Sequence, residues 1–395
     1  MKAAIALHTS RTHAEVRRIP QLWSFAAEYL LALPLGAVFA LIWANWDPET
    51  YHRAVDATAM LVNDVAMVLF FALITKEIVE ATAPGGLLHP WRRAAMPILA
   101  SFATVAVPVA LFALLVRVFD EPMLVRGWTT AMPIDIALGY FAARLIFGKH
   151  AAVPFFLVLA ISANGLGFIA LAVADPLRQV RLELALPLMA LALAVAFFLR
   201  RARVRSFWPY VLLGGSLSWS ALYFGGFHPA LALLPIVPFL PHAARDPGFF
   251  VDAPESAPDA LNRMELWLRH PAQAALFCFG LVNAGVQMKA LEPGFWSLPL
   301  AMFIGKPLGL LAGVALGSAL GLHLPRNIGR RDLIILGFIS ASGFTMTLFF
   351  ATATLGPGQM LAELKMGAIA SAGGCLFAFA AARLLKRGHT GSARR

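Results

Sequence analysis

Residues 127–147 read GWTTAMPIDIALGYFAARLIF. Almost every side chain in this stretch is apolar or small, yet Asp135 stands near its middle, with Pro133 two residues before it and Gly139 four after. Proline removes a helical hydrogen bond and glycine tolerates an opened backbone, so the stretch predicts an interrupted helix whose freed carbonyls could face an ion. An acid in the middle of an apolar span marks an ion or proton path; the bland alternative is a neutral, hydrogen-bonded aspartic acid at a kink.

The rest of the chain supplies the setting. Of 395 residues, 59% are hydrophobic and 13% charged, and the mean hydropathy is +0.74. Soluble domains carry roughly a quarter charged residues, so this composition excludes a soluble enzyme, a disordered chain and a nucleic-acid binder. Cys278 and Cys375 both lie in apolar runs and offer no disulfide framework or metal cluster.

A helical span needs about 20 mostly apolar residues. Twelve stretches qualify: 23–45, 57–80, 94–116, 127–147, 151–174, 182–200, 208–224, 228–241, 270–288, 296–320, 332–355 and 362–385. The expected fold is therefore all-α, a polytopic membrane protein. It has a single transmembrane domain over 23–385, a loop at about 242–269, an N-terminal segment 1–22 and a basic tail 386–395. With both termini placed in the cytoplasm, 23 of the 32 Lys and Arg residues fall on the inner side and 6 on the outer. That asymmetry follows the positive-inside rule, so the formal charge of +11 reads as topology and not as nucleic-acid binding.

Two further segments join Asp135. Lys306, in FIGKPLGLLAG, lies mid-span, where a lysine needs a carboxylate partner or must become neutral, unless it snorkels to an interface. In ISASGFTMTLFFA, residues 339–351, Ser340, Ser342, Gly343 and Thr345 make a second candidate break. Spans 4 and 11 are each the middle of a three-span set (3–5 and 10–12), and paired interruptions at matching places point to a transporter site at the membrane midplane. Glu77 is expected at the cytoplasmic mouth, gathering cations or pairing with Arg92 or Arg93; His228, His270 and Asn283 read as structural.

These segments resemble the bacterial NhaA-type sodium/proton antiporters, a family whose inverted repeats and broken helices are an established example of this architecture. The similarity covers about 23–385, through VNDVAMVLFFALITKEI, GWTTAMPIDIA, FGGFHPALA, ELWLRHP, VNAGV, IGKPLG and SGFTMTLFFA in the family's order. The resemblance implies exchange of cytoplasmic sodium or lithium for external protons by alternating access, across a bacterial inner membrane. It implies that Asp135 and Lys306 bind ion and proton, with the transported sodium on Asp135. Pro133, Ser342, Gly343 and Thr345 would line the interrupted helices, and Glu77 and Glu265 would belong to a cytoplasmic funnel and pH response. No prosthetic group is implied, and the partners are membrane lipid, the monovalent cation and protons.

This chain departs from the family in three places. Members carry two adjacent aspartates followed by Leu-Gly in span 5; here LAISANGLGFIAL puts Asn164 and Gly165 there, or Ala163 and Asn164 in the other register, and neither supplies a carboxylate. Ile134 replaces a usual threonine. The segment NWDPETYHRAVDATA is too short for the β-hairpin by which such proteins form homodimers. One carboxylate with the Asn164 amide oxygen is a weaker but still all-oxygen site for a hard cation. Three readings follow: a one-carboxylate exchanger, more readily electroneutral than two-protons-per-sodium; a transporter of another, perhaps anionic, solute; or a non-transporting homologue.

Overall fold

The computed structural model describes residues 32–83, 91–148, 150–174, 180–242, 259–288, 293–325, 327–356 and 358–390; every helix or strand within them is a helix. The N-terminal segment 1–22, most of the 242–269 loop and the end of the tail lie outside the described residues.

Helix α1 (Ala32–Trp46) turns at Asp47 into α2 (Pro48–Met60), a π-helical turn at Leu61–Ala66 and α3 (Met67–Thr82). The Asp47 carboxylate accepts from the Thr50 N–H at 3.2 Å, and proline occupies the first helical turn, which is how sequences start helices. The connecting segment before residue 57 is therefore itself helical, and helix continues from Pro48 through the expected second span. Next come α4 (Trp91–Val118), a 3-10 segment (Pro122–Ala131), α5 (Ile136–Phe147), α6 (Ala152–Ala174), α7 (Leu182–Arg201), and a π-helical turn (Tyr210–Gly215) leading into α8 (Ser216–Gly225). The chain ends with α9 (Ala260–Asn283), α10 (Ser297–Ala319), α11 (Arg330–Ser340), α12 (Phe344–Thr354), α13 (Gln359–Ser371) and α14 (Gly373–Thr390).

Six continuous helices among the described residues are long and apolar enough to cross a bilayer, and two bent pairs bring the number to eight. The bent pairs are Pro122–Ala131 with α5, at 57°, and α11 with α12, at 43°. The stretch 228–241, expected as a span, is not a continuous helix. It forms 3-10 turns at Pro229–Leu231 and Val237–Phe239, because Pro229, Pro235, Pro238 and Pro241 deny it successive amide donors. Its side chains are nonetheless largely buried: Leu233, Ile236, Val237 and Leu240 pack with Met264 and Leu268 of α9.

Large apolar side chains cover the outside, among them Leu35, Phe39 and Ile42 on α1, Leu186 and Phe198 on α7, and Leu376 and Leu384 on α14. Such a surface suits lipid. Between helices, lipid-like burial gains little, so close approach of backbones has to supply the contact energy. The α4–α10 interface shows how. Gly305, Gly309, Gly313 and Gly317 recur every four residues on α10 and face Pro108, Ala103 with Thr104, Ala100 and Met96 on α4, running antiparallel. A methyl group at Gly305 or Gly309 would collide with the α4 backbone. This seam fixes the register of α10, and with it the position of Lys306.

Candidate functional site

The two bent pairs touch at their breaks. Pro122–Ala131 packs beside α12, and α5 packs beside α11, so each half of one pair lies against the opposite half of the other. Between the halves of the first pair lie Met132, Pro133, Ile134 and Asp135; between those of the second, Ala341, Ser342 and Gly343.

Asp135 joins the two. Its N–H donates to the Ser342 carbonyl at 2.7 Å. As the N-cap of α5, its Oδ1 accepts from the Leu138 N–H at 3.0 Å, while Oδ2 accepts from the Thr345 N–H of α12 at 2.8 Å. One carboxylate thus satisfies orphan donors at two helix N-termini, where the helix dipoles favour negative charge. It is 1% exposed.

Lys306 is fully buried and its Nζ donates to the Met132 carbonyl, just past the C-terminal end of Pro122–Ala131, where the dipole favours a cation. Among the described ion pairs none joins Lys306 to Asp135. In place of the carboxylate partner that a mid-span lysine calls for, Lys306 meets a carbonyl freed by the broken helix, and Asp135 meets main-chain amides. Asn164, on α6, reaches the same break: its Oδ1 accepts from the Ile134 N–H at 2.8 Å and its Nδ2 donates to the Ile134 carbonyl at 2.9 Å. The amide oxygen expected to face a cation is therefore engaged by backbone. The next residue, Gly165, has no atom within 4 Å of where a Cβ would stand.

At the second break, the Gly343 N–H donates to Ser371 Oγ at 3.2 Å. The Thr347 hydroxyl and the Met302 methyl fill the space beside Gly343, so a larger residue there would have to displace both side chains. Ser342 is fully buried, and the Cys375 thiol is its weak polar neighbour. Pro133 supplies no N–H and so opens the first break. The site brings together a carboxyl group, a lysine amine, an amide and several hydroxyls, which are oxygen ligands for hard cations and carriers of protons.

Glu77 and Glu265 lie elsewhere, in a second cluster built on Lys76. Its Nζ sits 3.2 Å from Glu77, 2.7 Å from Glu80 and 2.8 Å from Glu265, tying α3 to α9. The described partner of Glu77 is Lys76, one residue away; the side chains of Arg92 and Arg93 lie outside the described residues. Glu80 and Ser371 escaped sequence reasoning: Glu80 stands one helical turn after Lys76, a spacing that could have found it, whereas Ser371 sits among alanines and glycines with no signal. Asn283 is structural as expected, exchanging amide hydrogen bonds with Asn63 at 2.7 and 3.3 Å. His228 caps the Pro229–Leu231 turn and packs its ring on Phe349.

An ionisable acid and base placed on touching helix breaks, inside an apolar helical body, are the arrangement of a membrane transporter. Comparison with known proteins agrees. Residues 25–384 match the model of the family described as Na+/H+ antiporter 1, and the chain belongs to that family. It is 39% identical over 374 residues to the Na(+)/H(+) antiporter NhaA of Desulfitobacterium hafniense, covering 92% of this chain and 95% of that one. It is 38% identical to the NhaA of Geobacter metallireducens (91% and 96% covered) and 35% identical to that of Jannaschia sp. (89% and 95%). The sodium proton antiporter MjNhaP1 from Methanocaldococcus jannaschii shares the fold, with a TM-score of 0.55 and 90% of each chain covered, at 14% identity.

Proposed function

We propose that this protein exchanges cytoplasmic sodium or lithium for external protons across a bacterial inner membrane, by alternating access and through a single site carboxylate. The observation that carries the proposal is Asp135: a fully enclosed carboxylate shared by the N-termini of α5 and α12. Ionised, it can trade its amide donors for a sodium ion; protonated, it loses its hold on both the ion and the helix ends. Because those donors belong to two different half-helices, a change of occupant is felt on both sides of the crossing, as alternating access requires.

In this proposal each bent pair is one discontinuous span, and the twelve spans run as a single domain over 23–385 with both termini inside. The Lys76–Glu77–Glu80–Glu265 cluster then faces the cytoplasm, with Glu77 and Glu265 in the funnel and pH response. Three carboxylates around one lysine leave net negative charge there, which attracts cations to the mouth. With no carboxylate in either register where the family resemblance expects two acids on α6, one proton is exchanged per sodium and the cycle moves no net charge.

The test is proton flux in proteoliposomes followed with a pH-sensitive dye, adding sodium or lithium to wild type and Asp135→Asn. Wild type should couple sodium to proton movement. The variant should lose sodium-coupled proton flux, because asparagine keeps only a neutral acceptor and can neither hold sodium by charge nor take up the exchanged proton. A silent wild type in correctly folded form would sink sodium exchange. It would favour the second reading, an anionic solute, to which Lys306 and the absence of a span-5 acid are suited.

A further inference from the structure

We propose that Asn164 is a positioning residue and not a ligand of the transported ion: its amide clamps the backbone of Ile134 and so sets the place of Asp135 between the two helix N-termini. This rests on the exchange reading above only for its transport arm.

The clamp is reciprocal. An N–H needs an acceptor and a C=O needs a donor, and the Asn164 amide supplies both to one residue, 30 positions earlier in the chain, at 2.8 and 2.9 Å. Asn164 is 2% exposed, so no water competes for either bond. Ile134 is fully buried and lies in the non-helical stretch opened by Pro133, where neither of its backbone groups has a helical partner. Unsatisfied, each would cost about 1–3 kcal/mol. Asp135 is the next residue, and its three contacts to Ser342, Thr345 and Leu138 require a fixed peptide plane before it. The clamp carries that geometry from α6, a largely buried helix, to the loop.

The chemistry explains why an amide stands here. Alanine removes both bonds. Aspartate, ionised, keeps the acceptor for the Ile134 N–H but sets a carboxylate against the Ile134 carbonyl. Protonated aspartic acid, however, has a C=O and an O–H in the same arrangement as the amide, and restores both bonds. An ion ligand behaves oppositely: an ionised aspartate is a stronger oxygen ligand than an amide and should bind sodium more tightly.

The experiment compares wild type, Asn164→Ala and Asn164→Asp across pH 5 to 8.5, by thermal unfolding in detergent and by sodium KM for proton flux in proteoliposomes. The expected result is a Tm several degrees below wild type for both variants at high pH. The deficit should narrow on acidification for Asn164→Asp alone. The sodium KM should rise at least about fivefold in both at high pH, and fall back toward wild type in acid only for the aspartate. A Tm deficit in Asn164→Asp that ignores pH, or a sodium KM below wild type when the aspartate is ionised, would overturn the clamp. If wild type moves no protons with sodium, the exchange reading fails and the pH-dependent Tm pattern still decides the clamp.

Discussion

The crossing and the α3–α9 cluster both bury charge, but they neutralise it differently. Around Lys76 three carboxylates lie within 3.2 Å of one ammonium, so side chains answer side chains. At the crossing, Asp135 answers amides at two helix N-termini and Lys306 answers a carbonyl beyond a helix end. Such a cluster can lose one acid and redistribute, since the remaining carboxylates still share Lys76. A charge matched to helix ends has no substitute, and those ends exist only while the helices stay broken. Mobile ionic equilibria therefore suit the cluster, and a two-state conformational element suits the crossing.

Replacing Lys306 should break the comparison most sharply. Lys306→Ala leaves the Met132 carbonyl buried without the donor that meets it in the wild type. Loss of a charged hydrogen bond is worth about 1.5–3 kcal/mol, which as a rate is a factor of about 10 to 100. Initial rates of sodium-driven proton flux, normalised to reconstituted protein, check this. A variant at wild-type rate would show that the carbonyl contact has no part in transport.

A pair of changes in the cluster acts on stability and not on the transport rate. Lys76→Met leaves Glu77, Glu80 and Glu265 facing one another with no cation, and breaking a buried pair in this way costs about 3–5 kcal/mol. Glu265→Gln leaves Lys76 with two carboxylates and should cost about 1 kcal/mol, near the value for a partly exposed pair. Thermal unfolding in detergent at neutral pH should place Lys76→Met well below Glu265→Gln. Equal losses would mean that the cluster does not redistribute and that the contrast with the crossing is false.

Much of this was legible in the sequence because it was written in backbone chemistry. Pro133 announces a missing donor and Gly343 a missing side chain, and both mark breaks. Asp135 and Lys306 stood out because charge is expensive among apolar residues. Their partners did not stand out. Main-chain atoms of Met132, Leu138 and Thr345 carry no identity that a sequence can display, so a carboxylate partner is all that the sequence offers Lys306. Asn164 was noticed as a departure, but its bonds to Ile134 depend on how α6 meets a loop 30 residues away. The stretch 228–241 misled for the converse reason: its composition is that of a span, while its prolines decide its shape.

Asp47 gives the smallest effect and isolates what burial contributes. It makes the same local bond as Asp135, an N-cap carboxylate accepting from the N–H three residues on, but in contact with solvent and ahead of α2. Hydrogen bonds from Thr50, the side chain's first and the backbone's second, hold the Asp47 carboxyl below the usual carboxylate range, with Arg53 helping less. A group whose folded value is depressed contributes stability that is fully present above its unfolded value and is lost as pH falls through the folded one. Protection of the Thr50 amide from hydrogen exchange, corrected for the intrinsic pH dependence, should therefore decline below the ordinary aspartate range. In Asp47→Asn, which keeps a neutral acceptor, it should not. Tm should barely move in either case, because water re-solvates an exposed cap and cannot reach the one at Asp135. A Tm loss for Asp47→Asn comparable to that of Asp135→Asn would mean that local capping, and not enclosure between two helix ends, gives the crossing its strength.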